Sequence, residues 1–443
     1  MKTNKTVYDR ACNVLTGGVS RNTIFRDPHP FYVATANGSY ITDIEGVKRI
    51  DFANNMASLI HGHSHPAIVE AVTDQLQKGT AFTMGTEAEV DFAELMIARS
   101  ETFERMRFVN SGTEAVMTML KTSRVYTNRS KIAKAEGAYH GTYDYAELSQ
   151  TSNPSNWGDI NRPNVNRVVD GTPQGVIDDV VVYPFNDIER TLKILDEHAH
   201  EIACVLIDPV PHRIGLFPAT NEFIEAVYNW TRKNGALLVF DEVVTYRVNY
   251  AGAQECYNVK PDLTAMGKMI GGGFPIGALA GKREIMEVLD PRGKILRHPH
   301  SGTFSANPIS MNAGRVAMEL FDKKAVLGLN KLTDIAIAQI TESIKIADVP
   351  VSITGEGSMF RLHLQATAPT CYREAFHTEE KKILIKELLD YLFLKENIIM
   401  INTGACMFAT TIRQKEVDRL SQALLNGFKL IKPKLEKLSP TLV

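Results

Sequence analysis

The sequence predicts an α/β protein whose main unit is a sheet with helices on both of its faces. The middle third of the chain alternates short apolar runs with longer segments of helical periodicity, and this alternation is typical of a sheet covered on both sides. The chain has 443 residues, whereas single cores stop growing at roughly 250 to 300 residues. We therefore expect two or more lobes.

The expected strands of the main sheet are short apolar runs. They are Arg107–Asn110, Lys131–Lys134, Asp179–Tyr183, Ile202–Ile207 and Ala236–Phe240. Helices are predicted between them at about 113–126, 187–198 and 221–233. In such sheets, ligands bind beyond the carboxyl ends of the strands, so those ends are where chemistry is expected.

The two ends of the chain have a different pattern. Turn-forming residues dominate the start, and a helical pattern begins at about residue 66. The final part has helices near 306–322, 327–346, 380–395 and 415–430 and a strand at Met359–Leu364. We expect an N-terminal arm with part of a small domain over 1–60, a large domain over 61–315 and a C-terminal small domain over 316–443. A stretch at 150–175, rich in Asn, Pro, Ser and Gly, is predicted to be a long loop.

Composition limits the classes of partner. The formal net charge is −2, from 49 basic and 51 acidic side chains, so no charge excess indicates nucleic acid or an anionic membrane. The five scattered cysteines are typical of free thiols in a reducing compartment. No apolar segment approaches the ~20 residues of a membrane helix, and the start does not resemble a signal peptide. We expect a cytoplasmic protein.

The first segment that indicates chemistry is Phe108–Val116. Its strand breaks at Ser111 and Gly112 and runs into a helix. Free N–H groups and the positive end of the helix dipole then meet beside the Ser111 and Thr113 hydroxyls, which suits a phosphate. The same residues are common in a plain helix cap. The segment is neither a Walker loop nor a Rossmann fingerprint.

The second segment places Asp241 and Glu242 directly after the apolar run Ala236–Phe240. A carboxylate at the end of a buried strand is costly unless a cation meets it, and a protonated pyridine nitrogen would be such a partner. A turn cap or an arginine partner is the simpler alternative for Asp241. Glu242 is interpreted as a structural acid.

The third segment surrounds Lys268 with apolar residues and places three glycines shortly after it. Apolar surroundings disfavour the ammonium form, which makes the lysine a better imine-forming amine. Glycines let the backbone approach a bulky ring. For Lys268 taken alone, a flexible loop would be the better explanation.

Taken together, the three segments favour pyridoxal 5'-phosphate, because each meets a different need of that cofactor. Their order and their amino-acid sequences closely resemble those of the class III aminotransferases of fold type I, especially the branch with glutamate-1-semialdehyde 2,1-aminomutase and the β-amino-acid transaminases. The resemblance runs from about Leu15 to the last helix. It implies a large domain with a mostly parallel seven-stranded sheet and a smaller α+β domain formed from both termini.

The resemblance also implies how the cofactor's phosphate and ring are held. Ser111, Gly112 and Thr113 are similar to the phosphate-binding turn of the family. Tyr139 is similar to the aromatic residue that stacks on the pyridine ring, and His140 to a structural neighbour of that ring.

The remaining cofactor contacts are implied in the same way. Asp241 resembles the partner of the pyridine nitrogen, Val243 the residue against the opposite face of the ring, and Lys268 the lysine that forms the aldimine. Thr303 resembles a threonine that reaches the cofactor phosphate of the neighbouring subunit. The family forms homodimers with shared active sites, so a homodimer is implied.

Arg21 is the candidate for substrate binding. It lies in Gly17–Phe25, which resembles the arm of β-amino-acid transaminases, where an arginine grips the substrate carboxylate. A guanidinium suits this role because it donates two parallel charge-assisted hydrogen bonds. An exposed surface arginine is the other interpretation. Arg413 is a weaker second candidate.

The expected reaction is transfer of an amino group between an amino acid, such as a β-amino acid, or an amine and a keto acid, through a Lys268 aldimine and a quinonoid intermediate. A glutamate-1-semialdehyde-type aminomutase, a racemase or epimerase, and more remotely a non-catalytic binding protein are the alternatives. Three departures from the mutase sequence count against that alternative. The arm lacks the mutase's Asn-Ser-Pro-Val-Arg sequence, Thr142–Tyr145 replaces its His-Ala-Asp, and Asp208-Pro209 replaces the usual Glu-Pro. The last change leaves the role of Asp208 open.

The histidine run at His61, His63 and His65 contains the residue type that most often binds metals. Alternate residues of a loop rarely converge on one ion, and the run resembles the Gly-His-x-His-Pro turn of the same family. We therefore expect no metal there.

Overall fold

The structure is a computed structural model, and it describes residues 2–293 and 295–438. Its α-helices are α1 (Asn4–Ala11), α2 (Asn54–Ala57), α3 (Pro66–Lys78), α4 (Glu87–Arg99), α5 (Gly112–Thr127), α6 (Asp144–Glu147), α7 (Gln174–Asp178), α8 (Ile188–Asp196), α9 (Asn221–Asn234), α10 (Arg283–Met286), α11 (Pro308–Leu320), α12 (Lys323–Ala347), α13 (Tyr372–Ala375), α14 (Glu379–Leu394) and α15 (Gln414–Leu435). Its strands are β1 (Val33–Asn37), β2 (Tyr40–Asp43), β3 (Lys48–Asp51), β4 (Arg105–Val109), β5 (Lys131–Ala135), β6 (Gly158–Asp159), β7 (Arg162–Pro163), β8 (Val180–Tyr183), β9 (Ile202–Ile207), β10 (Leu237–Asp241), β11 (Leu263–Gly267), β12 (Gly277–Gly281), β13 (Ser352–Glu356), β14 (Met359–His363), β15 (Ile398–Ile399) and β16 (Ala405–Met407).

The main sheet has seven strands within the described residues, in the order β4-β12-β11-β10-β9-β5-β8. Only β12 runs antiparallel to its neighbours among these strands. Strands β9 and β10 are buried along their whole length. Burial on both faces explains why these strands are continuous apolar runs rather than alternating ones.

The two ends of the chain meet in a second sheet, of order β1-β2-β3-β15. Strand β15 pairs in parallel with β3, so Ile398 lies opposite Ile50. A third sheet, β13-β14-β16, stands beside it. The helices α12 and α15 pack on each other and contribute to the largest apolar core cluster. The boundaries at 60 and 315 stay a prediction.

The α/β fold class and the seven-stranded, mostly parallel sheet are confirmed. The five strands predicted for the main sheet and the strand predicted at Met359–Leu364 all exist, as do the predicted helices, with ends shifted by a few residues. Strands β11 and β12 were not predicted from the residue pattern, because their glycines indicate turns. The predicted loop at 150–175 contains a small hairpin of β6 and β7 and the start of α7.

No helix within 2–293 and 295–438 is long and apolar enough to cross a membrane.

Candidate active site

The candidate residues follow the carboxyl ends of neighbouring strands. Asp208 directly follows β9, Asp241 ends β10 and Lys268 directly follows β11. The register places these ends side by side, since Ile207 pairs with Phe240, and Asp241 with Ala265. A lysine and two aspartates separated by up to 60 positions are thereby brought to one edge of the sheet.

The start of α5 lies at the same edge. Ser111 caps the helix, and its hydroxyl accepts a hydrogen bond from the Glu114 N–H at 3.2 Å. The preceding N–H groups, those of Gly112 and Thr113, belong to the first turn and have no acceptor within the helix. The direction of these two N–H groups and the positive end of the helix dipole suit an anion, so the predicted role in phosphate binding stays a prediction.

Glycines permit the close packing of this edge. A Cβ at Gly112 would lie 2.6 Å from Cγ1 of Val243, and one at Gly141 would lie 2.5 Å from Oγ1 of Thr113. A Cβ at Gly277 would lie 2.0 Å from the Ser111 carbonyl oxygen. The helix start, the strand-end loop with Val243 and the loop at Gly141 are therefore in contact.

Lys268 has two unusual properties. Its backbone is in the left-handed region, with φ of 49°, a conformation that costs a non-glycine residue of order 1 kcal/mol or more and that clusters at functional sites. Burial lowers the pKa of its ammonium group, while the charges of Asp241 and Asp208 act in the opposite direction. Lowering the pKa enlarges the fraction of free amine.

Asp241 is held by two hydrogen bonds. Nδ1 of His140 lies 2.8 Å from Asp241 Oδ2, and the Val243 N–H donates to Oδ1 at 3.0 Å. Burial lowers the pKa of His140, so the ring is neutral and Nδ1 carries the proton that it donates to the carboxylate. A carboxylate offers about four acceptor positions. Asp241 therefore retains capacity for a cationic partner.

The two other acids at this edge behave differently. Burial, and then repulsion from Asp241, raise the pKa of Asp208 well above its ordinary value. Its Oδ1 accepts the Val210 N–H at 3.1 Å and so shapes the following loop. Glu242 is fully buried and accepts the N–H groups of Ala253 and Gln254. These contacts support the interpretation of Glu242 as a structural acid.

Tyr139 is 38% exposed at the edge of the site. The guanidinium of Arg213 lies over one face of its ring, 4.5 Å from the ring centroid. Within the described residues no other aromatic ring stacks on Tyr139. The predicted stacking of Tyr139 on the cofactor ring stays a prediction.

Arg21 is exposed and donates from Nη1 to the side-chain oxygen of Asn55 at 2.9 Å. Asn55 belongs to α2, where four successive residues have φ between 45° and 73°. The next residue, Met56, packs in an apolar cluster with Val210 and Val244. Since Val210 and Val244 follow Asp208 and Asp241 in the chain, Asn55 tethers the arm beside the strand ends.

Two further predicted residues do not contact the start of α5. Thr303 is exposed, and no hydrogen bond joins it to Ser111–Thr113 within the described chain. Arg413 donates to the Thr410 and Ile412 carbonyl oxygens at the start of α15. Its guanidinium is therefore used by the backbone of the turn that precedes α15.

The histidine run has three separate sets of contacts. His61 bonds the Thr410 hydroxyl at 2.9 Å, and its other nitrogen lies 2.8 Å from the Ala317 carbonyl oxygen. His63 bonds the Asp51 carboxylate at 2.8 Å. The His65 ring packs against that of His61, with centroids 5.6 Å apart.

Sequence reasoning missed Arg213 and Arg361. Arg361 lies on β14 and donates to the carbonyl oxygens of His212 and Arg213, at 3.1 and 3.5 Å. The only local signal was a His-Arg pair shortly after Asp208-Pro209, and a single pair of residues in a loop has no periodicity to detect.

Comparisons with known proteins identify the family of this chain. The profile of the aminotransferase class-III family matches residues 24–371. Glutamate-1-semialdehyde 2,1-aminomutase of Methanothermobacter thermautotrophicus is 35% identical over 93% of this chain and 94% of its own length. The chain belongs to the class III aminotransferases.

Solved structures match over almost the whole chain. An omega-transaminase from Sphaerobacter thermophilus is 41% identical with a TM-score of 0.94, over 96% of this chain and 97% of its own. A β-phenylalanine aminotransferase from Variovorax paradoxus is 28% identical with a TM-score of 0.86, over 97% and 94%.

The protein is a pyridoxal-phosphate-dependent enzyme, and its residues fit that cofactor. A phosphate matches the free N–H groups at the start of α5. An aldehyde matches an amine whose pKa is lowered, at Lys268. A protonated ring nitrogen matches the remaining acceptor capacity of Asp241. The individual contacts of Ser111, Gly112, Thr113, Tyr139, Asp241, Val243 and Lys268 with the cofactor stay predictions.

Proposed function

We propose that the protein is a transaminase that moves an amino group between a carboxylated amine, such as a β-amino acid, and a keto acid. The observation that carries the proposal is the tether of Arg21, through Asn55, beside the strand ends that hold Lys268 and Asp241. The likeness to an omega-transaminase and to a β-phenylalanine aminotransferase supports it.

The bound cofactor supplies an aldehyde that condenses with amines and a ring that accepts an electron pair. Lys268 moves the proton. Its free Nζ takes the proton from the substrate carbon that bears the nitrogen and returns it to the carbon on the other side of that nitrogen. The lowered pKa of Lys268 supports this use, because a larger share of the side chain is free amine near neutral pH.

Asp241 and Arg21 have orienting roles in the proposal. His140 and the Val243 N–H hold the Asp241 carboxylate in one orientation, so the carboxylate is already positioned before any ligand binds. The Arg21 guanidinium binds the substrate carboxylate and fixes which carbon faces Lys268. We also propose that the enzyme is a homodimer in which Thr303 reaches the partner's cofactor phosphate.

An aminomutase is the second candidate, since a relative so named is 35% identical over nearly the whole chain. The two reactions differ in their need for an acceptor. A transaminase given only an amino donor converts its cofactor once and stops, whereas a mutase continues to turn over without any keto acid.

The test mixes the pyridoxal form of the enzyme with a β-amino acid alone and follows the cofactor's visible absorption. We expect one equivalent of conversion to the pyridoxamine form, and recovery after a keto acid is added. In Arg21→Ala the donor KM should rise about tenfold or more, because hydrogen bonds to charged groups contribute 1.5–3 kcal/mol. Arg10→Ala, also exposed and near the N-terminus, is the control and should keep the native KM. Sustained turnover of a diamino or amino-aldehyde compound without a keto acid would contradict the proposal.

A further inference from the structure

Arg213 is a cation without an anionic partner. Within residues 2–293 and 295–438, no carboxylate lies in salt-bridge distance of its guanidinium. The side chain lies instead over the Tyr139 ring. An arginine placed beside a binding site without a carboxylate of its own is available to a ligand anion.

The loop that carries Arg213 is held from the other lobe of the chain. Arg361 donates to the carbonyl oxygens of His212 and Arg213. The Thr354 hydroxyl donates to the Gly215 carbonyl oxygen at 2.5 Å, and the ring of His363 lies 3.1 Å from the same oxygen. Contacts on both sides of Arg213 fix its backbone, so the guanidinium is presented by a rigid loop.

The surroundings of Arg213 are positively charged. Arg361 is 5% exposed, and its Nε has no hydrogen-bond partner in the described chain. Burial, and then the charges of Arg361, Lys268 and Arg213, lower the pKa of His212 to about 3. Neither Arg213 nor Arg361 forms a salt bridge with a carboxylate within the described residues, so an anion at this position would offset the repulsion between the two guanidinium groups.

The position of Arg213 relative to the active site follows from its neighbours. Its stacking partner Tyr139 is next to His140, which bonds Asp241, and two residues before Gly141, which packs on Thr113. The same loop begins at Asp208, at the strand edge of Lys268. Arg21 is tethered beside this edge through Asn55, so two separate guanidinium groups lie on segments that adjoin the same strand ends.

We propose that Arg213 is a specificity residue that binds the second carboxylate of a dicarboxylic substrate, so that the enzyme prefers a dicarboxylic 2-oxo acid as its amino acceptor. The proposal rests on the transaminase function above. Arg361 is a positioning residue for it, because it holds the backbone of the loop.

The kinetic test compares acceptors that differ by one carboxylate. The pyridoxamine form is mixed with 2-oxoglutarate or with pyruvate, and kcat/KM is measured for native enzyme and Arg213→Gln. We expect a loss of about tenfold or more with 2-oxoglutarate, and a change below about twofold with pyruvate. Arg213→Lys should recover part of the loss. Arg167→Gln, which removes another exposed arginine, should leave both acceptors unchanged.

A binding test separates this proposal from the transaminase function. Calorimetry on the holoenzyme measures the dissociation constants of glutarate and butyrate, which cannot react. The native enzyme should bind glutarate more tightly than butyrate. Arg213→Gln should raise the dissociation constant of glutarate by about tenfold or more and change that of butyrate by less than about twofold. Equal effects on the two ligands, or none, would overturn the proposal even if the enzyme transaminates. A native enzyme that fails to transaminate but keeps this difference would overturn the function and not the subsite.

Discussion

The two sides of the active site are built in different ways. The cofactor side consists of strand ends and one helix start within the main sheet, with Ser111, Asp241 and Lys268 on adjacent elements. The substrate side consists of the arm with Arg21, the loop with Arg213, and contacts from the C-terminal sheet. The cofactor side therefore has its geometry set by sheet register, whereas the substrate side depends on loops that can change without altering the sheet.

The largest effect should come from Lys268→Ala. Removing the amine that carries the proton should lower kcat by about a thousandfold or more, because positioned general bases contribute 10²–10⁴-fold. The characteristic colour of the lysine-bound cofactor should also disappear. Spectra and steady-state kinetics check both results. Native levels of both in the variant would break the assignment of the cofactor side.

A smaller effect is expected for Asp241→Ala, about 100-fold or more in kcat, as for removal of one fixed electrostatic partner. His140→Ala removes only a hydrogen bond to Asp241, worth about tenfold. The comparison of the two variants by half-reaction kinetics sharpens the picture of the cofactor side. If His140→Ala were the more damaging variant, His140 would have to act on the substrate or cofactor directly.

The next effect concerns packing rather than charge. In Gly112→Ala the added Cβ would lie 2.6 Å from Val243, so the helix start or Val243 must shift. We expect the variant to lose more cofactor during dialysis. Its free energy of unfolding should fall by roughly 1–3 kcal/mol, as for other overpacked sites. Gly175→Ala, where an added Cβ meets nothing within 4 Å, is the matched control and should retain the cofactor like the native enzyme.

The last effect is a loss of stability in acid, to which buried histidines on the substrate side contribute. Burial lowers the pKa of His212, His363 and His377 from 6.5 to about 3. These rings are neutral when folded and gain protons more readily when unfolded. Their contribution is therefore complete above pH 6.5 and is lost as the pH falls from 6.5 towards 3.

Melting temperatures between pH 7 and pH 4 measure this loss. For the fully buried His363 it amounts to roughly 1.4 kcal/mol per pH unit. His363→Gln should show a smaller decrease with acid than the native enzyme, whereas His200→Gln, an exposed position, should decrease like it. An equal decrease in both variants would remove the contrast between the two sides.

Much of the fold was accessible to sequence reasoning because its signals are local. Ile202–Ile207 and Ala236–Phe240 are continuous apolar runs of strand length, and the pattern of Pro66–Lys78 has helical spacing. Strands β11 and β12 were not recognised, because Gly267, Gly277 and Gly281 indicate turns in isolation. In the sheet, Gly277 is required, since a side chain there would collide with the Ser111 carbonyl.

The sequence by itself determined the order and type of the elements and the presence of a lysine, an aspartate and a helix cap suited to pyridoxal phosphate. Only the tertiary structure decided that His140 holds Asp241, that Glu242 is used within the protein, and that Arg213 lies over Tyr139 beside the site. The physical reason is that these contacts join residues 11 to 101 positions apart, and the sheet register and loop packing that bring them together leave no local pattern in the chain.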